Sequence, residues 1–532
     1  MIRYRSAKQR TLAEFDWPFQ TALDDSNRWV TLAACIPWDE LAQAYHGALS
    51  QSPLGRPSKD ARLVIGAVII KHKLCVSDRE TVSQIQENPY LQYFVGLAGY
   101  QKDAPFAPSL LVEVRKRMGQ GVFDAFHAAV IDALERSKLK APARTKPAEG
   151  SKDDDDDPPG AVEPEESVQK DSGEPARQGK LILDATVAPQ AIRYPTDLSL
   201  LNEAREFSEQ IIDVLYAHSR LGRKPRTYRQ RARRDYLAVA KLKRASTKMR
   251  RRGIKQQLQY LRRNLGHIET LLKHWPEGTC LPLPRWLLRR YWVIVHLYGQ
   301  QREMYQRNTR RCDGRIVSIS QPYVRPIMRG KVDKPTEFGA KLSVSLNGDG
   351  LACVDHLSWE AYHEGNELKQ QVERYRERHG HDPQVVIADP VYGTRANRRY
   401  LKQRKIRFAG KALGRPKKVT EENKAQLAQA KKQRQRDYRE RIPIEGKFGQ
   451  GKGGYRLNYI RAKRADTSVA WINSIFLVMN LLVLLKFFFA LWRWGVGLIY
   501  RLDLQLQRAP ALSAWLAVSP ARDRLVPSCS TS

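Results

Sequence analysis

A chain of 532 residues is long enough for two to four domains, and Lys plus Arg outnumber Asp plus Glu by 92 to 56 for a net charge of +36. That excess is more than solubility requires and has the sign that condenses onto a polyanion, while 42% apolar residues exclude an intrinsically disordered chain. Cysteines stand at 35, 75, 280, 312, 353 and 529 with no CxxC pair, so the spacing indicates neither a zinc cage nor a disulfide framework and fits a reducing compartment. The N-terminus MIRYRSAKQRTLAEF carries basic residues with no apolar stretch behind them, which does not read as a secretory signal; the expected location is cytoplasmic.

Residues 1–137 read as helical. Ser58 can cap a helix carrying Leu63, Val64, Ala67, Val68 and Ile70, and Ser77 with Glu80 forms a capping box that opens the next. Two helices joined at His72–Ser77 could be a helix-turn-helix, although the turn lacks glycine and ordinary bundle packing explains it better. Residues 138–179 are rich in Pro, Gly and acid, with Asp153–Asp157 as an unbroken run; this predicts a disordered acidic linker. A short strand follows at Lys180–Val187.

A long helical stretch, a predicted insertion at about 200–312, comes next. Residues 221–256 hold 15 Lys or Arg and one acid, Asp235, so Arg226, Arg229, Arg231, Arg233 and Arg234 are candidates for DNA phosphate contact. Ile254, Leu258, Leu261, Leu265, Ile268 and Leu272 alternate steps of four and three, a seam that needs a partner helix. Leu342, Val344 and Leu346 alternate before a turn at Asn347–Gly350, and Leu351–Asp355 returns as the second arm of a hairpin. A helix is predicted near 360–378, a strand at Gln384–Asp389, a helix at 395–403 and a strand at Ile406–Ala409. With the strand at 181–187 these make a mixed five-stranded sheet in the order of an RNase H-like α/β domain, behind an all-α N-terminal region.

Asp184 lies inside an apolar strand and Asp389 ends another; an acid in such a place is costly unless it ligates or pairs. Metal-assisted cutting of a phosphodiester needs carboxylates converging from different elements, and oxygen ligands suit Mg²⁺ or Mn²⁺, two ions about 3.5–4 Å apart serving the entering and leaving oxygens. Glu360, Glu364 or Glu367 could add a fourth carboxylate, whereas Asp355, His356 and His363 fit no zinc spacing.

The segment Tyr438-Arg-Glu-Arg441-Ile-Pro-Ile-Glu445, ending at Lys452, matches Y-x2-R-x3-E-x6-K. On a helix Tyr438, Arg441 and Glu445 share one stripe. The match resembles the signature of a large group of DDE transposases from bacterial insertion sequences. Asp184-Ala-Thr-Val with Ile192–Asp197, Arg315–Tyr323 with Glu337–Lys341, and Ala388–Tyr392 with Asn397 and Arg398 are similar to further stretches of that group, and 58–118 resembles its N-terminal domain. The resemblance implies a helical DNA-binding domain at 1–137, an RNase H-like catalytic domain at 180–500 and a C-terminal tail at 501–532. It also implies Asp184, Asp389 and Glu445 as a catalytic, metal-binding triad for two Mg²⁺ or Mn²⁺ ions. Tyr438, Arg441 and Lys452 would contact DNA. The implied reaction is cleavage at transposon ends and strand transfer into target DNA by a homodimer or larger assembly in the nucleoid. A nuclease of the same fold that cuts without joining, and an inactive DNA-binding copy, are the alternatives. The apolar stretch 471–500 is interrupted by Asn480, Lys486 and Arg493, which predicts not a membrane span but a buried final helix at Trp471–Leu485, with 487–500 left for a dimer contact or weak membrane adhesion.

Overall fold

The computed structural model describes residues 22–49, 58–139, 177–219, 221–275, 280–328, 336–415 and 418–508; the acidic run and the last part of the tail lie outside these residues. The centre is a six-stranded mixed sheet. Strand β1 (Lys180–Pro189) pairs antiparallel with β3 (Thr336–Asn347) and parallel with β5 (Val385–Ala388), which pairs parallel with β6 (Arg407–Phe408). On its other side β3 carries β4 (Ala352–Ser358) along Lys341–Leu346 and β2 (Arg325–Met328) along Thr336–Gly339, so two short strands lie end to end against one long strand. Strand β2 has no counterpart among the sequence expectations: its four residues include Pro326 and show no alternation long enough to register. The other five strands match those expected.

Both faces of the sheet are covered by helices. On one side Leu181, Leu183, Val386 and Ala388 pack under α12 (Leu368–His379) and α13 (Arg395–Gln403). On the other, Ile182, Val344, Val385 and Ile387 pack under α14 (Glu421–Gly454) and α15 (Ala465–Arg508). The helix expected from residue 360 begins only at Leu368, after a 3-10 turn at Glu364–Asn366.

Between β1 and β2 the chain inserts α8 (Asp197–Ala217), α9 (Arg229–Ala240), α10 (Thr247–Lys273) and α11 (Arg285–Gln306). These helices have their own core, in which Leu258, Leu261, Leu265 and Ile268 of α10 meet Leu201, Ile211, Ile212 and Leu215 of α8. The apolar seam thus finds its partner within the same chain. The basic stretch is two helices separated by a turn, one of which continues well past 256.

The N-terminal helices are α1 (Arg28–Cys35), α2 (Trp38–Gly47), α3 (Ala61–Leu74), α4 (Asp78–Glu87), α5 (Pro89–Phe94), α6 (Leu110–Arg117) and α7 (Gln120–Leu139). Asp60, not Ser58, caps α3 by accepting from the Arg62 and Leu63 amides, because the helix starts later than the apolar periodicity suggests. Ser77 caps α4, accepting from the Glu80 amide, but the expected capping box does not close, because the Glu80 carboxylate accepts from Gln84 instead. Cys75 takes the left-handed position (φ 57°) in the turn that lacks glycine.

These helices do not close a separate core. Leu32, Phe94, Phe123, Phe126 and Val130 share one cluster with Leu477, Val478, Leu481 and Leu484 of α15 and with Leu351 and Cys353 of the sheet. Opposite sides of α15, at Ile472, Ile475, Phe476 and Met479, enter the sheet core. A helix clasped on both sides must be apolar all round, which is why this segment has the length and composition of a membrane span while two thirds of its most apolar window is buried in protein. Asn480 is not an interruption. It donates to the Ala352 carbonyl at 2.8 Å, accepts from the Ala352 amide at 2.9 Å and lies 3.1 Å from His127 Nδ1, joining α15, the sheet and α7.

Candidate active site

Strand parity decides where the carboxylates point. Asp184 follows Ile182 by two residues and therefore projects, as Ile182 does, toward α14. Asp389 likewise follows Ile387 by two. Leu183 lies opposite Ala388 in the parallel pair, so the two aspartates come side by side, Asp389 just past the end of β5 and Asp184 midway along β1.

Helix α14 crosses this face of the sheet and is fastened toward the other end of the strands, where Lys180, Val385 and Arg407 lie in register. Arg407 at the end of the sheet makes a bidentate pair with Asp437 at 2.8 and 2.9 Å, and Lys180 reaches Glu440 at 2.5 Å. Ile444 and Phe448 are buried in the sheet core, and Lys447 donates to the Gly350 carbonyl at 2.9 Å. Burial lowers the Lys447 ammonium to about 8, with Lys486 adding repulsion. Glu445 is thereby set one turn from Arg441, whose Nη2 lies 2.6 Å from Glu445 Oε1 and whose Nη1 lies 3.7 Å from Asp184 Oδ2. The structure brings Asp184, Arg441 and Glu445 together. Tyr438 is exposed on the same helix, with the Arg441 guanidinium 6.0 Å from its ring, and Lys452 lies two turns beyond Glu445.

Burial pushes the Asp184 carboxyl up to about 6. The Ala185 amide, 2.8 Å away, and the Arg441 charge pull it down, while the charges of Glu364 and Asp389 push it further up. Glu364 is thus the member of its trio that acts on Asp184. Glu360 is largely exposed and sits 3.9 Å from Arg325, and Glu367 pairs with His356 at 3.0 Å. Asp355 is buried against Arg378 (2.8 Å) and Gln371 (3.0 Å), a structural role.

Three residues that position the site escape sequence reasoning as to role. A Cβ on Gly365 would stand 2.7 Å from the Val391 carbonyl, so only glycine lets the turn carrying Glu364 abut the loop after Asp389. Asn397 clamps the two, donating to the Gly365 carbonyl (2.6 Å) and the Tyr392 carbonyl (2.9 Å). Lys341 pairs with Glu364 at 2.9 Å and donates to the Tyr362 carbonyl at 2.8 Å. Asn397 and Lys341 lie in stretches singled out by resemblance, but nothing in one sequence reveals such contacts.

The donor set is all carboxylate, drawn from two strands and a helix, with a fourth charge from Glu364; this chemistry fits Mg²⁺ or Mn²⁺. Among the described residues no three His, Cys, Asp or Glu side chains are gathered closely enough to hold an ion. Arg441 supplies the counter-charge between Asp184 and Glu445, and an ion there would have to displace it.

Arg226, Arg231, Arg233 and Arg234 are exposed on the insertion. Arg229 differs from them: it holds Asp213 at 2.7 and 3.1 Å, beside Lys224 at 2.7 Å, and so ties α9 to α8.

Residues 386–482 match a family described as "Transposase DDE domain", and residues 18–117 match one described as "Transposase domain (DUF772)". The first covers Asp389, Glu445 and the clasped part of α15; the second covers most of the N-terminal helices. The chain is also 29% identical over 201 residues, 37% of its length and 80% of the relative's, to "Uncharacterized protein ORF8 in nfe locus" of Rhizobium meliloti. No solved structure matches the chain.

Proposed function

We propose that this chain, which belongs with the DDE transposases of insertion sequences, cuts DNA at the ends of a mobile element and joins those ends to target DNA. The observation that supports this most is the convergence of Asp184, Arg441 and Glu445 over the middle of β1, with Asp389 beside Asp184 and the Glu364 charge acting on Asp184. Strand order and direction are compatible with an RNase H-like sheet whose first and second strands are separated by a helical insertion. Asp184, Asp389 and Glu445 would hold the divalent ions, which supply Lewis acidity to a water and to the scissile phosphate when bound. Arg441, released from the carboxylates, is placed to meet a phosphate oxygen, and Tyr438 and Lys452 extend the same helix along the strand. Hydrolysis leaves a 3′-OH, which attacks a second phosphodiester by the same in-line route with no covalent enzyme intermediate.

The test uses full-length protein, a linear duplex carrying the inverted repeats that flank the gene, a supercoiled plasmid and Mg²⁺. The expected result is nicking at the repeat tips and covalent joining to the plasmid, read on a denaturing gel. Nicks without joined product would support a nuclease that only cuts, and neither product would leave a DNA-binding copy.

The insertion supplies general phosphate affinity in this reading. Neutralising Arg226, Arg231, Arg233 and Arg234 together is expected to weaken specific and random DNA alike and to flatten the plot of log K against log salt by ~0.9 for each phosphate no longer neutralised. An unchanged slope with an altered sequence preference would mean that the block reads bases.

A further inference from the structure

A cavity of about 400 Å³ opens between the N-terminal helices and the connection from α14 to α15, and none of the three carboxylates lines it. Its floor is built from buried charge and one aromatic ring. Lys71 and Arg115, 2% and 4% exposed, both pair with Asp78, at 2.9 and 2.6 Å. The same two cations approach the face of Trp471, with Lys71 Nζ 4.4 Å and the Arg115 guanidinium 5.4 Å from the ring centre. His72 packs edge-on to that ring. Two polar atoms in this floor lack any partner, Arg115 Nε and His72 Nε2, and both residues are more than nine-tenths buried. Burial, then the charges of Lys71 and Arg115, hold His72 neutral. Asp78 would be raised by burial, but its two cations take it down to about 2, so it is committed to them.

The rim adds further cations. Arg456, Arg461 and Lys463 are exposed around the mouth, and Arg464 pairs with Asp466. Among the described lining residues Lys and Arg outnumber acids six to one, Asp78 being the acid. Tyr459, about half exposed, lies at the same mouth with Arg461 5.3 Å from its ring. Strong positive charge beside flat aromatic surface, in a space the size of one nucleotide, fits the two halves of a nucleotide, a phosphate and a base.

We propose that this cleft is a second DNA-contact site, which receives a phosphate and an adjoining base of a bound strand and so holds the N-terminal helices and the catalytic domain on the same DNA. This rests on the reading of the protein as a DNA-cutting enzyme. The cations of the rim take the phosphate charge, Tyr459 offers a face for stacking, and the edge of Trp471 offers an edge-to-face contact.

The test compares wild-type protein with an Arg461→Ala, Lys463→Ala double variant, both sites being exposed and outside the catalytic cluster. A labelled 30-base-pair duplex is titrated in Ca²⁺ across a salt series, and the bound complex is irradiated and digested to map DNA-linked peptides. The variant is expected to bind about three- to tenfold more weakly, with the salt slope lowered by roughly one to two units, and wild-type adducts are expected at Tyr455, Tyr459 or Trp471. Unchanged affinity and slope, with no adduct in 455–471, would overturn the proposal. Thymidine monophosphate and inorganic phosphate serve as competitors: if millimolar mononucleotide removes the adduct while duplex affinity is untouched, the cleft holds a free nucleotide and the strand assignment fails. Failure here is separable from failure of the transposase reading. The first appears as normal binding by a variant that still cuts and joins, the second as absence of joined product whatever the cleft binds.

Discussion

Asp184→Asn, Asp389→Asn and Glu445→Gln are each expected to reduce cleavage of an element-end duplex by at least about a thousandfold, some 4 kcal/mol of transition-state stabilisation. Affinity for the same DNA in Ca²⁺ should stay within a few-fold, because the acids are assigned to metal and not to the phosphate backbone. Stability separates this from misfolding. Burial holds the folded Asp184 carboxyl at about 6, above its ordinary 3.8. An acid raised on folding is harder to ionise in the native than in the unfolded state, so its charge costs stability above pH 6 and costs nothing below pH 4. The Asp184→Asn protein, neutral at this position, should therefore melt at the same or a higher temperature than wild type at pH 7, and show no gain at pH 4. Lost activity with kept or improved stability is the pattern of a site strained for function. Near-wild-type cleavage by any one of the three variants would remove that residue from the site.

Truncation before Trp471 is expected to abolish folding. The deletion removes Leu477, Val478, Leu481 and Leu484 from the core shared with the N-terminal helices, and Ile472, Ile475, Phe476 and Met479 from the sheet core. Each large buried side chain is worth about 2–5 kcal/mol, against a total stability of about 5–15 kcal/mol for an ordinary domain. The loss of Asn480 also orphans both polar groups of Ala352. Far-UV circular dichroism and size-exclusion chromatography of the truncated chain should report an unfolded or aggregated product, while the full chain should fractionate with soluble or nucleoid material. A soluble, active truncation, with the intact protein retained in carbonate-washed membranes, would establish the stretch as an anchor.

The elements that build the candidate site are legible in the sequence because each has a local signal. Period-two alternation marks β3, an apolar run ending in acid marks β5, and the spacing of Tyr438, Arg441 and Glu445 puts them on one helix stripe. The contacts between elements are not legible. Nothing local says that Arg441 bridges Asp184 and Glu445, that Glu364 rather than Glu360 or Glu367 acts on Asp184, or that Arg229, alone among the five candidate arginines of its block, holds Asp213. A helical region ahead of an acidic stretch looks self-sufficient in sequence, yet its core includes residues of a helix more than 300 residues later.

That shared core changes what the acidic stretch after α7 has to do. A tether between two free bodies sets how far apart they wander and how often they meet, so its length is under constraint. Here both ends of the stretch are anchored on one body, α7 through its packing with α15 and β1 through the sheet on which α15 lies. The separation of its two ends is set by the packed body and not by the length between them, so changes of length there are expected to leave Asp184, Asp389 and Glu445 where they are.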